Sequence, residues 1–180
     1  MKRLEKVALI SALIEKLYGK GSWCGETHIQ KTMYFLQELL KVPMEFNFIL
    51  YKHGPFSFDL RDELTAMRAD GIVELRTKFP EYGPSLVITE RGKRLRELYR
   101  DIVSQYNNQL SFIVENIGDK GVVDLERLAT ALYVTLEQLS VDNKTRAKRI
   151  NFLKPHISEI EAKFAVESLD SIIQRANLSN

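Results

Sequence analysis

The stretch from Ile29 to Gly71 constrains this chain more than any other. A helical run, IQKTMYFLQELLK, is followed by an apolar extended segment, and then by YKHGPFS, which opens a second helical run. In the first run Ile29, Met33, Leu36 and Leu40 share one face with Phe35 and Leu39 alongside, and Thr27 is placed to cap it. The helix is expected from about Thr27 to Lys41, with Pro43 ending it. Phe46, Phe48, Leu50 and Lys52 alternate with Asn47, Ile49 and Tyr51, which is the period of a short strand. Gly54-Pro55 is expected to break that strand. Ser57 then caps a helix whose buried stripe is Leu60, Leu64 and Met67, and Gly71 closes it.

The flanking sequence extends this into a fold. Leu4 to Tyr18 reads as an amphipathic helix on Leu4, Val7, Ile10, Ile14 and Leu17, stopped by Gly19 and Gly21. After Gly71, Val73, Leu75, Thr77 and Phe79 alternate with charged residues, PEYGP supplies a turn, and LVIT returns. Thr89 caps one long helix reaching Ile117, with Leu95, Leu98, Ile102, Tyr106, Ile113 and Ile117 on its buried side. The last third is helical in pattern. Asp124 is expected to cap a helix through Leu139, Asn143 to Lys154 forms a basic helix, Pro155 breaks the chain, and a last helix carries Ile157, Ile160, Phe164, Leu169 and Ile172. Three helices, a hairpin and a further helix are the order of a winged helix, with a strand inserted between the second and third helices. The expected fold is therefore mainly α with a small β hairpin. A winged-helix-like domain over residues 1–118 is followed by a helical subdomain over 119–180.

Composition narrows the function classes. With 44% hydrophobic residues in 180, a core can form; with 26 basic against 24 acidic residues, the net charge of +2 points to neither nucleic acid nor membrane globally. The N-terminal apolar run is interrupted by Glu5, Lys6, Glu15 and Lys16, unlike a signal peptide, and no run of ~18 uncharged apolar residues exists to span a bilayer. Cys24 is the only cysteine, so no internal disulfide and no zinc cage can form. These features predict a soluble, cytoplasmic chain without membrane association.

IQKTMYFLQ followed by YKHGPFSFDLRDELTAMRADGIVEL resembles the pattern of YwgA-like proteins and the SocA/Panacea domain. The matching positions are Ile29, Gln30, Lys31, Tyr34, Phe35, Tyr51, Gly54, Pro55, Ser57, Leu60, Leu64 and Gly71, and LATALY and FLKP are similar to the C-terminal part of YwgA-like chains. The resemblance covers roughly a quarter of the chain and carries no known catalytic residues. It implies an antitoxin or adaptor role, in which the domain binds another protein such as a toxin or defence component.

Cys24 and His28, four apart, invite a thiol–imidazole reading, against a loop cysteine and a helix-start histidine. No CxxC, HExxH, GxxxxGK or GxGxxG pattern is present, so no cofactor or metal is expected. His53, beside Tyr51 and Lys52 and near a helix N-terminus, fits either an anion-binding position or a packed aromatic turn. On the third helix Arg61, Thr65 and Arg68 share a face, but Asp59, Asp62, Glu63 and Asp70 make it net acidic, which opposes contact with phosphates. Basic charge gathers instead at ERGKRLRELYR and at KTRAKRINFLK, where Lys144, Arg146, Lys148 and Arg149 form a collar. A helix of ~28 residues would be ~42 Å long, enough to pair with a second copy as a homodimer.

Two functions follow. The first is a non-catalytic regulatory binding module whose partner surface comprises Gln30, Lys31, Tyr34, Tyr51, His53, Arg61, Thr65 and Arg68. The second is a winged-helix DNA-binding regulator using Arg76, Lys78, Arg91, Lys93 and the collar; an enzyme is a distant third.

Overall fold

The computed structural model of the protein describes residues 1–77, 83–137 and 141–178. Among them the chain is mainly helical, with nine helices and two antiparallel strand pairs. It divides into two units, Met1–Phe48 with Ser57–Lys120, and Ile49–Phe56 with Gly121–Asn180. A short piece of the N-terminal part therefore belongs to the C-terminal unit.

The first unit is built on α1 (Arg3–Gly19). Its run from Val7 to Ile14 is buried without a break, so it is a central helix rather than one with a single apolar stripe. Next comes α2 (Glu26–Glu38), which starts behind Gly25, not Thr27, and ends before Lys41. The alternation expected from Phe46 onward is seen, with Phe46, Phe48 and Leu50 turned further inward than Asn47, Ile49 and Tyr51, and it extends back through the buried Val42 and Met44, yet among the described residues 42–48 pair with no strand. The ladder begins only at β1 (Ile49–Tyr51), which pairs with β2 (Gly54–Phe56). The Gly-Pro pair thus opens a second strand instead of breaking the first. Lys52 and His53 make the turn, and Gly54 at φ +80° closes it, a backbone conformation that side chains disfavour.

The chain returns to the first unit at Ser57, whose Oγ accepts the Leu60 N–H at 3.2 Å and caps α3 (Phe58–Ala69). The wing follows as β3 (Val73–Arg76) and β4 (Ser85–Ile88), in register from Val73 opposite Ile88 to Arg76 opposite Ser85. Phe79 and residues 80–82 of the expected PEYGP turn lie outside the described residues. Thr89 caps α4 (Glu90–Leu98) by accepting the Gly92 N–H, and its own hydroxyl donates to the Gly71 carbonyl at 2.6 Å. Gly92 is required here, because a Cβ would lie 2.3 Å from the Ile72 carbonyl oxygen.

The expected long helix is three: α4, α5 (Arg100–Gln105) and α6 (Asn107–Ile117). The breaks fall at Tyr99 (φ −110°, ψ 27°) and Tyr106 (φ −107°, ψ 14°), with neither Gly nor Pro to announce them. All three segments pack on α1, and a bent path lets each reach it where a straight rod would not. The rationale for pairing two copies through one long helix disappears with that rod.

In the second unit α7 (Val122–Glu137), α8 (Asn143–Leu153) and α9 (Glu159–Leu178) pack together, and β2 lies on α7. Asp124 sits inside the first turn of α7 rather than capping it, while Asp142 caps α8 by accepting from the Lys144 and Thr145 N–H groups. Leu139 lies outside the described residues. Leu125, Leu128, Leu132, Ile150, Val166, Leu169 and Ile172 fill the core.

Candidate functional site

The sequence-matched residues of α2 turn inward. The Gln30 side chain is buried; its Nε2 donates to the Ser57 carbonyl at 2.9 Å, and its Oε1 accepts the Ser57 N–H at 2.9 Å. Seven residues on, Gln37 does the same to Phe46, donating to its carbonyl at 2.9 Å and accepting its N–H at 2.8 Å. An amide side chain offers one donor and one acceptor, so each glutamine imitates a step of a β-ladder. Lys31 and Tyr34 are also buried, Tyr34 against the rings of Phe35 and Phe48 with centroids 6.5 and 5.0 Å away. Gln30, Lys31 and Tyr34 therefore sit within the fold rather than on a surface open to a partner.

The hairpin residues gather with three others that the sequence reading passed over. His53 Nδ1 lies 3.3 Å from one oxygen of Glu126 on α7, and His156 Nε2 lies 3.0 Å from the other. Lys154 is buried and donates from Nζ to the carbonyls of Tyr51 and Lys52, the latter at 2.7 Å. Burial holds the Lys154 pKa below the usual lysine range, and the charge of Glu126 opposes that shift. Gly54 fits against α7, where a Cβ would lie 2.9 Å from Thr130 Oγ1 and 3.3 Å from the Glu126 carbonyl. Tyr51 packs on Phe56, with ring centroids 5.8 Å apart. One Glu126 oxygen and the lysine are committed to the hairpin and the other oxygen to His156, while the His53 side chain remains 73% exposed. Glu126 left one trace in the sequence: a carboxylate on the buried side of a helix otherwise lined by Leu125, Leu128, Ala129 and Leu132.

On α3 Arg61 pairs with Asp62 at 3.1 Å and lies over the Phe58 ring, 4.9 Å from its centroid. The Thr65 hydroxyl donates to the Arg61 carbonyl, and Arg68 is exposed. Of the basic residues, Arg76 pairs with Glu74 at 2.7 Å and Lys93 with Glu90 at 2.6 Å, whereas Arg91 is exposed. Lys78 lies outside the described residues. The collar is not uniform. Arg146 is buried and forked onto Asp170 at 2.8 and 2.7 Å, with further bonds to Thr135 and Asn143, and Arg149 is 3.6 Å from Glu137. Lys144 and Lys148 stay exposed.

Cys24 and His28 do not meet as a pair. The Cys24 thiol is buried, directed at the Ile14 carbonyl, and pushed up to about 12 by burial, which keeps it protonated at neutral pH. His28 Nε2 lies 3.1 Å from the Lys120 carbonyl, and burial lowers its pKa. Among the described residues, no group of three or more His, Cys, Asp or Glu is arranged to hold a metal ion. No helix of the described residues is long and apolar enough to cross a membrane. Neither a protein-family model nor a curated protein matches the chain.

Proposed function

We propose that this chain is a non-catalytic regulatory binding module of antitoxin or adaptor type, and that its ligand is another protein. The observation that carries the reading is the set of large apolar side chains left in solvent on the helices of the second unit: Phe152 at 74%, Ile160 at 71% and Phe164 at 64% exposure. Ile160 and Phe164 lie one turn apart on the outer face of α9, opposite the buried Ala162, Val166 and Leu169. Exposed aromatic and aliphatic residues of this size are what protein interfaces bury at their centres. The resemblance of IQKTMYFLQ and YKHGPFS to YwgA-like and Panacea sequences points the same way, and a lone buried cysteine suits a reducing cytoplasm.

The DNA-binding alternative has less behind it. The third helix and its C-cap Asp70 carry two arginines against four carboxylates, and Arg61 already has Asp62. The test is affinity capture from native extract at physiological salt, with wild-type chain beside an Ile160→Asp/Phe164→Asp variant. A partner held by the wild type and lost by the variant is the expected result. No specific partner, together with steeply salt-dependent binding to random duplex DNA, would overturn the reading.

A further inference from the structure

One face of α4 combines exposed leucine with exposed arginine. Arg91, Arg94, Leu95 and Leu98 follow one another at spacings of three, one and three residues, which places them on one side of the helix. With Leu4, Asp70 and Ile72 they line a groove of about 370 Å³ within the first unit. Leu98 is 81% exposed and Leu4 is also exposed, while Ile72 forms a buried floor.

The charges of this groove are lopsided. Its single carboxylate, Asp70, is already neutralised by Arg3 at 3.1 Å. Elsewhere along α4 the cations are matched, Lys93 to Glu90 and Arg96 to Glu15. Among the described residues Arg91 and Arg94 make no hydrogen bond or ion pair, although Arg94 lies close enough to Glu90 to act on it through its field. An aliphatic trough is thus rimmed by two uncommitted guanidinium groups.

We infer that this groove is a docking site for an acidic amphipathic segment of a partner protein, whose aliphatic side chains enter between Leu4, Ile72, Leu95 and Leu98 while its carboxylates meet Arg91 and Arg94. Charge complementarity selects the sign, because guanidinium takes a carboxylate through two parallel hydrogen bonds. The aliphatic lining selects a peptide over single-stranded nucleic acid, since no aromatic ring lines it for bases to stack on. Such a surface reads a helix by anchors three and four residues apart. The inference rests on the protein-binding reading above but uses a different surface.

The probe is a fluorescein-labelled peptide of about 16 residues that alternates glutamate and leucine at helical spacing, titrated with the 180-residue chain by fluorescence anisotropy. Arg91→Glu/Arg94→Glu and Leu98→Ser change only exposed side chains; the Trp23 emission of each variant verifies that the first unit is folded. Expected are saturable binding to the wild type, at least tenfold weaker binding to either variant, weaker binding at high salt, and none of a peptide with lysine replacing glutamate. Wild-type failure to bind the acidic peptide, undiminished binding by the double-arginine variant, or displacement by random duplex DNA would each overturn it. If a captured partner is lost on Ile160→Asp/Phe164→Asp but kept on Arg91→Glu/Arg94→Glu, this inference fails and the proposed function stands.

Discussion

The clamp between Gln30 and Ser57 lends itself to a quantitative test through Gln30→Leu. The substitution keeps most of the side-chain bulk and removes both hydrogen-bonding atoms. Ser57 is fully buried, so its N–H loses the acceptor at 2.9 Å, while its carbonyl retains the Arg61 N–H at 3.2 Å. An orphaned buried N–H costs about 1–3 kcal/mol and the lost bond at the carbonyl about 0.5–1.5 kcal/mol. The extra apolar burial of leucine returns about 1 kcal/mol, leaving a net loss of about 0.5–3.5 kcal/mol. With a urea dependence of about 2 kcal/mol/M, the unfolding midpoint should fall by about 0.25–1.75 M. The single tryptophan, Trp23, belongs to the same unit and donates its indole N–H to the Gly83 carbonyl at 2.7 Å, so its fluorescence reports the transition. Gln30→Glu provides a second reading. Ionised, that carboxylate still accepts the Ser57 N–H but faces the Ser57 carbonyl; protonated, it can serve both. Its folded-state pKa should therefore be raised, so the clamp's contribution is present below the unfolded value of about 4.3 and lost as pH rises through the folded one. A Gln30→Leu midpoint within about 0.2 M of wild type at unchanged slope would refute the clamp.

Three further outcomes are expected. Gly92→Ala should destabilise the first unit by about 1–3 kcal/mol, read as a lower urea midpoint, because the added methyl meets the Ile72 carbonyl at 2.3 Å and Ile88 Cγ1 at 2.7 Å. In the second unit, Arg146→Met should cost about 2–4 kcal/mol by leaving Asp170 and Asn143 without their donor, somewhat below the full value for a buried pair because Asp170 is partly exposed; a double-mutant cycle with Asp170→Asn in circular dichroism melts should show positive coupling. Cys24, raised to about 12 against about 8.5 in the unfolded chain, contributes stability that is complete below about pH 8.5 and fades as pH climbs towards 12, by up to about 1.4 kcal/mol per pH unit. Midpoints measured from pH 7 to 10 should accordingly fall more for wild type than for Cys24→Ala, and iodoacetamide should label the native thiol far more slowly than the denatured one.

What was legible in the sequence follows from the range of the forces involved. The wing strands, the cap at Ser57 and the helix following Asp142 depend on neighbours within a few residues, and periodicity and capping chemistry display them directly. The breaks at Tyr99 and Tyr106 follow from a packing partner some ninety residues away, so the apolar stripe ran through them unmarked. The alternation from Phe46 to Tyr51 is real, but alternation records which side chains turn inward and not whether the backbone finds a ladder. For Gln30 the misreading was of another kind. A polar residue in a matching motif suggested a surface, whereas its partner is backbone 27 positions away. Glu126 and Lys154 reach the hairpin from more than 70 residues further along the chain, with His156 joined to it through Glu126, which no local pattern announces.

The two glutamine clamps have an architectural corollary. They fasten the chain immediately before it leaves the first unit, at Phe46, and immediately after it comes back, at Ser57. The first unit thereby behaves as a host and residues 49–56 as its guest, with both gateposts set in α2. A host of this kind tolerates changes to its guest, because lengthening a loop whose ends are already fixed raises its closure entropy only logarithmically. Grafting a longer turn in place of Lys52 and His53 should leave the helices and wing of the first unit standing, while releasing whatever the second unit draws from Glu126 and Lys154.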